Sequence, residues 1–259
     1  MSETIRKSVY SLNETEKTAL RDAFRALYGQ KLAPDQNLFT VYANQYQELA
    51  AILGAFGHYQ RNDLLFLPWA RTYFWWFEQA LQKVNPTVSL PYWDYTSEQA
   101  IEEGLPALFT DATYVNGDGE EKPNPLLEGD YLYPFKTFRE VSDNQAKLRV
   151  GASLKGPAMA QKDFVSFSLD IYQVDITGHI YVGGSIANTH STSYDPLFWF
   201  THCQLDHMWW QWQQQNGYEA PESVLDAKMS PFVSSGENPA ILTGADVMHT
   251  TALGYTYDG

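Results

Sequence analysis

The sequence predicts a mainly α-helical fold, and three observations support this prediction. Apolar residues recur at helical intervals in three segments between residues 11 and 86. A central segment places Asp175 and His179 four residues apart, the spacing that brings two side chains onto one helix face. A further helical pattern starts at His202 and carries apolar residues on its own face. We therefore expect helices to form most of the core.

The first predicted helix follows Ser11. Ser11 and Glu14 have the spacing of a capping box, in which two side chains satisfy free N–H groups at the start of a helix. Apolar residues then recur on one face as far as Leu27, and Gly29 is the expected end.

Two more helices are predicted in the first third of the chain. The second begins after Asn37, a common capping residue, and is expected to end near Gly57. The third begins with residues 66–71 and ends at Pro86, because proline cannot continue a helix. Residues 90–94 are expected to be extended, since a residue that precedes proline avoids the helical region.

Much of the remaining chain is predicted to be irregular. Residues 111–124 contain the turn-forming sequence Asn-Gly-Asp-Gly and are expected to be a loop. Residues 125–170 mix aromatic residues with proline and glycine, and we expect them to be irregular as well. The tail from Glu219 is again expected to be loop-like. The expected architecture is helices joined by long loops.

Composition indicates a folded globular chain and argues against two classes of partner. No linker divides the 259 residues, so we expect a single domain over residues 1–259. The formal net charge of −14 argues against nucleic acid or an anionic membrane as partner. The single cysteine, Cys203, excludes an intramolecular disulfide and fits a reducing compartment. The N-terminus lacks the apolar core of a signal peptide, so we expect a soluble, cytoplasmic protein.

The main functional signal is one carboxylate with two imidazoles. If Asp175 and His179 share a helix face and His202 faces them from a second helix, three ligand atoms converge. Such a set suits one divalent metal ion with an open fourth position. The competing interpretations are a pair of hydrogen-bonded core histidines and, for Asp175, a surface or capping carboxylate.

Five short motifs carry a resemblance to a known family. They are Phe66-Leu-Pro-Trp-Ala-Arg71, Phe77-Glu78, Leu90-Pro-Tyr-Trp-Asp94, His179-Ile-Tyr-Val-Gly-Gly184 and Asp195-Pro-Leu-Phe-Trp199. Together they resemble the two metal-half signatures of tyrosinases, catechol oxidases and molluscan haemocyanins. The resemblance implies a tyrosinase-like four-helix bundle core with long loops and minor β structure, which holds a metal site between two helix pairs.

The chain departs from this family in the first metal half. The resemblance implies two coppers, each bound by three histidines. Ala70 stands where the family has a ligand histidine, and the preceding ligand position falls near Arg61 or Asn62. Only His58 lies close by, so we expect no copper in this half.

The second metal half keeps part of the ligand set. The resemblance places Asp175 at the first ligand position, whereas His179 and His202 retain the family histidines. Ile176 replaces the asparagine that follows the first ligand. One oxygen and two nitrogen ligands favour a single Zn²⁺ over redox copper, with Fe²⁺ and Cu²⁺ as alternatives.

These departures imply chemistry without net oxidation, because dioxygen bound between two coppers needs both metals. Within the family the chain resembles the cyclopenase type of fungal quinolone alkaloid biosynthesis. That resemblance implies a lyase that converts cyclopenin, a benzodiazepinedione epoxide, to viridicatin, a 4-aryl-quinolone. The expected partner is an uncharged aromatic substrate whose rings occupy the vacated first half, with His58 and His190 as candidate catalytic residues. The alternatives are a mononuclear iron or copper oxygenase and a catalytically silent ligand-binding protein.

Overall fold

The computed structural model describes residues 3–52, 64–131, 134–141, 145–234 and 239–259. Helices form most of its regular structure. They are α1 (Glu14–Gly29), α2 (Leu38–Ile52), α3 (Phe66–Val84), α4 (Glu98–Glu103), α5 (Ala107–Thr110), α6 (Ala146–Ala160), α7 (Phe164–Val182), α8 (Leu197–Asn216), α9 (Glu222–Leu225) and α10 (Gly244–Val247). Short 3₁₀ turns cover Gly184–Ala187, Thr192–Tyr194 and Thr250–Leu253. The prediction of a mainly α-helical fold is confirmed.

The strands pair only in twos within the described ranges. They are β1 (Thr4–Arg6), β2 (Lys31–Ala33), β3 (Gln36–Asn37), β4 (Thr113–Val115), β5 (Glu121–Pro123), β6 (Lys228–Val233), β7 (Ile241–Thr243) and β8 (Tyr255–Tyr257). β1 and β8 pair in parallel and bring the two ends of the chain together. The pairs β2–β3, β4–β5 and β6–β7 are antiparallel. None of the helices described here has the length and apolar character needed to cross a membrane.

The cap at the start of α1 differs from the prediction. Asn13 Oδ1 accepts a hydrogen bond from the Glu16 backbone N–H at 3.0 Å, and Glu16 Oε2 accepts one from the Asn13 N–H at 2.9 Å. The predicted pair of Ser11 and Glu14 is wrong, because the Ser11 hydroxyl donates to a carbonyl three residues earlier. The capping box therefore lies two residues further along the chain.

The other predicted limits of α1, α2 and α3 agree well with the structure. α1 ends at Gly29, as predicted. Asn37 caps α2, since its Oδ1 accepts a hydrogen bond from the Thr40 N–H at 2.9 Å. The predicted end of α2 at Gly57 lies outside the described residues. α3 ends two residues before Pro86.

The prediction that residues 125–170 are irregular is wrong, because α6 and the start of α7 lie within them. Asp163 Oδ1 caps α7 by accepting a hydrogen bond from the Ser166 N–H at 2.9 Å. α6 packs closely against α7 at Gly151, where a Cβ atom would lie 2.3 Å from Thr177 Oγ1. Contact with α7 rather than an apolar pattern of its own therefore stabilises α6.

Two other predicted loops contain short elements. β4 and β5 form a hairpin within residues 111–124, and its turn is closed by Asn116. Asn116 Oδ1 accepts hydrogen bonds from the backbone N–H groups of Asp118 and Glu120 at 3.1 and 2.8 Å. The tail from Glu219 contains α9, α10 and strands β6 to β8. Elements of three to six residues are too short to show a clear hydrophobic period.

The core is a bundle of α2, α3, α7 and α8, as predicted. Trp199 of α8 is fully buried and stacks on Phe77 of α3 with ring centroids 3.8 Å apart. Phe39 of α2 contacts the same indole at 6.3 Å. Phe167 of α7 stacks on Trp212 of α8 at 4.7 Å. Aromatic burial of this kind fixes the relative positions of the four helices.

A buried ion-pair network joins both ends of the chain to the bundle. Asp206 of α8 accepts hydrogen bonds from Arg71 of α3 at 2.5 Å and from Arg6 of β1 at 3.4 Å. The hydroxyls of Tyr255 and Tyr257 in β8 each donate to the same carboxylate at 2.6 Å. Arg71 and Asp206 therefore hold α3, α8 and the terminal strands together.

Candidate metal centre

Three side chains from α7 and α8 converge on one point. Asp175 and His179 lie one helical turn apart on α7, and His202 faces them from α8. Asp175 Oδ2 is 3.8 Å from His179 Nε2 and 3.9 Å from His202 Nε2. All three candidate ligand atoms lie within 4.8 Å of one another. The structure thus brings together the three residues that the sequence selects.

Hydrogen bonds to the backbone orient both imidazoles. His179 Nδ1 lies 2.9 Å from the carbonyl oxygen of Ile186, and His202 Nδ1 lies 3.1 Å from that of Phe198. Each Nδ1–H therefore donates to a carbonyl, and each Nε2 lone pair faces Asp175. Burial lowers the pKa of His202 to about 4, so this ring is neutral near pH 7.

The donor set fits a bound cation. Asp175 Oδ1 and His179 Nε2 are buried and have no hydrogen-bond partner. A carboxylate and two Nε2 lone pairs face one another, and all three are acceptors when the rings are neutral. A buried carboxylate without a partner is costly, whereas a divalent ion among the three atoms satisfies all of them. The alternative, a pair of hydrogen-bonded core histidines, accounts for the two Nδ1 contacts but leaves His179 Nε2 and Asp175 Oδ1 without a partner.

Aromatic side chains occupy the described part of the first metal half. Ala70 is buried on α3, and Phe66 and Phe74, one turn away on either side, both contact the ring of His202. Their ring centroids are 6.5 and 5.5 Å from that of His202, and Tyr46 of α2 lies at 6.4 Å. Room for substrate rings in this half stays a prediction. The rings of Phe66 and Phe74 supply no metal ligand.

Open space lies on the other side of the candidate centre. A cavity of about 140 Å³ borders Asp175 and His179 and is mostly apolar. It is lined by Tyr172, Asp175, Ile176, His179, Ile180, Ile186, Ala187, Thr189 and Thr192. Ile176, at the position of the family asparagine, thus forms part of the wall. The cavity thus borders two of the three candidate ligands.

The two candidate catalytic histidines have different positions. His58 lies outside the described residues, as do Arg61 and Asn62. His190 is exposed on the loop between α7 and α8, where its backbone N–H donates to Asn188 Oδ1 at 2.9 Å. It does not line the cavity beside the centre. A catalytic role for either histidine stays a prediction.

Asp195 lies just before α8 and does not face the candidate ligand atoms. Asp195 Oδ1 accepts a hydrogen bond at 2.9 Å from the backbone N–H of Leu197, the first residue of α8. Arg139 also binds Asp195 through Nε and Nη2, which neutralises the buried carboxylate. His207 stacks on Tyr92 at 3.9 Å, away from the centre.

Sequence reasoning missed two groups beside the centre. The carbonyl of Ile186, which orients His179, carries no sequence signal because any residue supplies a carbonyl. Tyr95 is fully buried against α7, and its hydroxyl has no hydrogen-bond partner. Tyr95 directly follows the Leu90–Asp94 motif, but nothing in that motif indicates its contact with a helix 80 residues further along.

Comparison with known proteins agrees with this architecture. A family model described as the common central domain of tyrosinase matches residues 40–164 and 134–215. "Hemocyanin, units G and H" from Sepia officinalis is 30% identical over 284 residues, which cover 96% of this chain and 46% of that protein. A tyrosinase from Streptomyces antibioticus is 27% identical over 271 residues, which cover 92% of this chain and 89% of that protein.

Solved structures show the same fold. A tyrosinase from Burkholderia thailandensis has a TM-score of 0.83 at 18% identity and covers 100% of this chain and 74% of that chain. A functional unit of octopus haemocyanin has a TM-score of 0.73 at 27% identity and covers 99% of this chain and 68% of that chain. The chain belongs to the tyrosinase family, whose members bind metal, and it has the tyrosinase and haemocyanin fold. It spans less than half of the Sepia protein.

Proposed function

We propose that the protein is a metal-dependent, non-oxidative lyase with one metal ion per chain, bound by Asp175, His179 and His202. The proposal rests mainly on one observation. Three acceptor atoms converge in the second metal half, whereas Ala70 and its aromatic neighbours offer no ligand in the described part of the first. Dioxygen bound between two metal ions needs both ions, and the described residues of the first half supply no ligand for one of them.

Zinc is the proposed ion. One carboxylate and two imidazoles, with a fourth position open, are a common ligand set of catalytic zinc. The carboxylate of Asp175 gives this set a negative charge, which a set of three neutral histidines does not have. When bound, zinc supplies Lewis-acid polarisation of a carbonyl or epoxide oxygen. The chain's own residues orient the rings through the backbone carbonyls of Ile186 and Phe198 and keep His202 neutral.

The proposed substrate is an uncharged aromatic small molecule. The cavity beside the centre has apolar walls from Ile176, Ile180 and Ile186, which favour an aryl group over a charged one. Following the cyclopenase resemblance, we propose cyclopenin as substrate and viridicatin as product. That rearrangement contracts the ring and releases the N-methyl carbonyl fragment, and it needs no oxidant. His58 and His190 stay the proposed acid and base groups.

Metal analysis with matched variants tests this proposal. We expect about one zinc per chain in the purified protein, and loss of both metal and cyclopenin turnover in Asp175→Ala and His202→Ala. His249→Ala is the control, because His249 is exposed and stacks on Tyr218 away from the centre. Turnover retained by both metal-site variants would eliminate the metal mechanism.

The second candidate function is a mononuclear iron oxygenase. Two histidines and one carboxylate are also the facial triad of non-haem iron enzymes, and this ligand set is the observation that favours it. Full conversion of substrate without oxygen excludes this candidate. Turnover that consumes oxygen in step with substrate excludes the lyase instead.

A further inference from the structure

Hydrogen bonds join α2 to the α7–α8 segment, residues 183–196. Gln47 of α2 donates from Nε2 to Ser193 Oγ at 2.6 Å, and Ser193 Oγ donates to the carbonyl oxygen of Ala43 at 2.9 Å. The next residue, Tyr194, donates from its hydroxyl to Asn44 Oδ1 at 2.9 Å. Gln47 and Ser193 are buried, so water does not compete for the bond between them. Two successive residues of the segment are therefore fixed to one helix.

The same segment holds the imidazole of His179. The carbonyl oxygen of Ile186 lies 2.9 Å from His179 Nδ1, and Thr192 Oγ1 lies 3.5 Å from the same nitrogen. Within the segment, Ser191 Oγ donates to the carbonyl oxygen of Ser185 at 2.9 Å. Both oxygens beside Nδ1 thus belong to a segment whose parts are hydrogen-bonded to one another. Thr192 directly precedes the first residue that α2 fixes.

We propose that α2 positions His179 for metal binding, with Gln47 and Ser193 as the positioning residues. The bonds of Ser193 keep the segment in place, and so keep the Ile186 carbonyl oxygen within reach of Nδ1. The Nε2 lone pair then stays directed at Asp175. Outer contacts of this kind orient a ligating histidine and raise metal affinity. The inference rests on the proposed function, because it takes His179 as a ligand.

A neighbouring residue of α2 contacts the other histidine of the centre. The ring of Tyr46 packs edge-to-face on Phe198 at 4.7 Å, and its centroid lies 6.4 Å from that of His202. Phe198 is also the residue whose carbonyl oxygen lies beside His202 Nδ1. α2 itself contains no histidine. Its part in the centre is therefore to support imidazoles that lie on other helices.

The test is a double-mutant cycle on the Zn²⁺ dissociation constant, measured by competition with a chromophoric chelator on protein stripped of metal. Ser193→Ala breaks both bonds of the hydroxyl and should weaken Zn²⁺ binding about 10-fold. Gln47→Ala breaks one of them and should weaken binding less. The double variant should bind no more weakly than Ser193→Ala alone, because both changes act on the same link. The matched control is Gln45→Ala on the same helix, since Gln45 Oε1 has no hydrogen-bond partner.

The tautomer of His179 in the metal-free protein gives a readout that a general loss of stability does not move. In the parent chain we expect the proton of the neutral ring on Nδ1, which lies 2.9 Å from a carbonyl acceptor. Ser193→Ala should increase the share of the tautomer that carries the proton on Nε2. Gln45→Ala should not change this share. The nitrogen chemical shifts of the ring, measured by NMR, report both forms.

The outcomes separate this inference from the proposed function. Unchanged zinc affinity in Ser193→Ala, together with lost binding in Asp175→Ala, overturns the role of α2 and leaves the metal site in place. Additive losses in the double variant also overturn it, because Gln47 and Ser193 would then act independently. So does equal weakening in Gln45→Ala. A parent chain that binds no zinc overturns the proposed function, and the tautomer in Ser193→Ala then still decides whether the segment positions His179.

Discussion

Replacement of Asp206 by asparagine tests the buried network that joins both ends of the chain to the bundle. In the native protein, Asp206 neutralises Arg71 and Arg6, and both guanidinium groups are fully buried. The substitution keeps the shape of the side chain and removes its charge. Arg71 then faces a neutral amide, and Arg6 keeps its ion pair with Glu78.

The expected loss of stability is large. Breaking a buried ion pair from one side costs about 3–5 kcal/mol, because an uncompensated charge stays buried. That is a large part of the roughly 5–15 kcal/mol that stabilises a typical domain. The control is Asp94→Asn, which alters the partly exposed pair of Asp94 and Lys155 at 3.2 Å. This control should cost only about 0–1 kcal/mol.

The pH dependence of this loss gives a second check. Burial alone raises the pKa of Asp206, but Arg71 and Arg6 outweigh it and hold the pKa below its ordinary value. The charge of Asp206 therefore stabilises the fold above the pKa of an unfolded aspartate, about 3.9, and this contribution is lost as pH falls through the lower folded pKa. Urea unfolding near pH 7 and near pH 3 measures both effects. A loss at neutral pH no larger than that of Asp94→Asn would refute this account of the network.

Two further predictions concern the first metal half and the single cysteine. Ala70→His restores the family histidine but inserts a ring beside buried aromatic side chains, so it should cost about 1–3 kcal/mol in urea unfolding. It should also leave the metal content at about one ion per chain, and a second bound copper would contradict this expectation. Cys203 is fully buried and burial raises the pKa of its thiol to about 12, so native protein should react with iodoacetamide about 10³-fold more slowly than unfolded protein. Equal labelling rates in the two states would show that Cys203 is exposed.

The residues of the candidate centre can be predicted from the sequence, because they are marked by helical spacing or by a motif. Asp175 and His179 share one helix, so their spacing alone places them on one face. His202 lies on a different helix, and only its motif position indicated that it faces the same point. Distances of 3.8 and 3.9 Å between the candidate ligand atoms agree with that expectation.

Features that depend on contacts between distant segments were not predictable. α6 is stabilised by its close approach to α7 at Gly151. The sequence of α6 has no hydrophobic periodicity that predicts a helix. Tyr95 reaches Gly178 only after the chain has folded. The sequence does not separate a capping box at Ser11 from one at Asn13, because both have suitable spacing and the hydrogen bonds form only at Asn13. The contacts of Phe66 and Phe74 with the ring of His202 also depend on packing.

We expect one metal ion in place of the pair of coppers that the family resemblance implies. The most direct measurement is anomalous X-ray scattering from crystals of the purified protein, recorded at the zinc and copper absorption edges. We predict one zinc peak per chain, within bonding distance of Asp175, His179 and His202, and no peak beside Ala70. Two peaks, or none beside the three ligands, would contradict the claim.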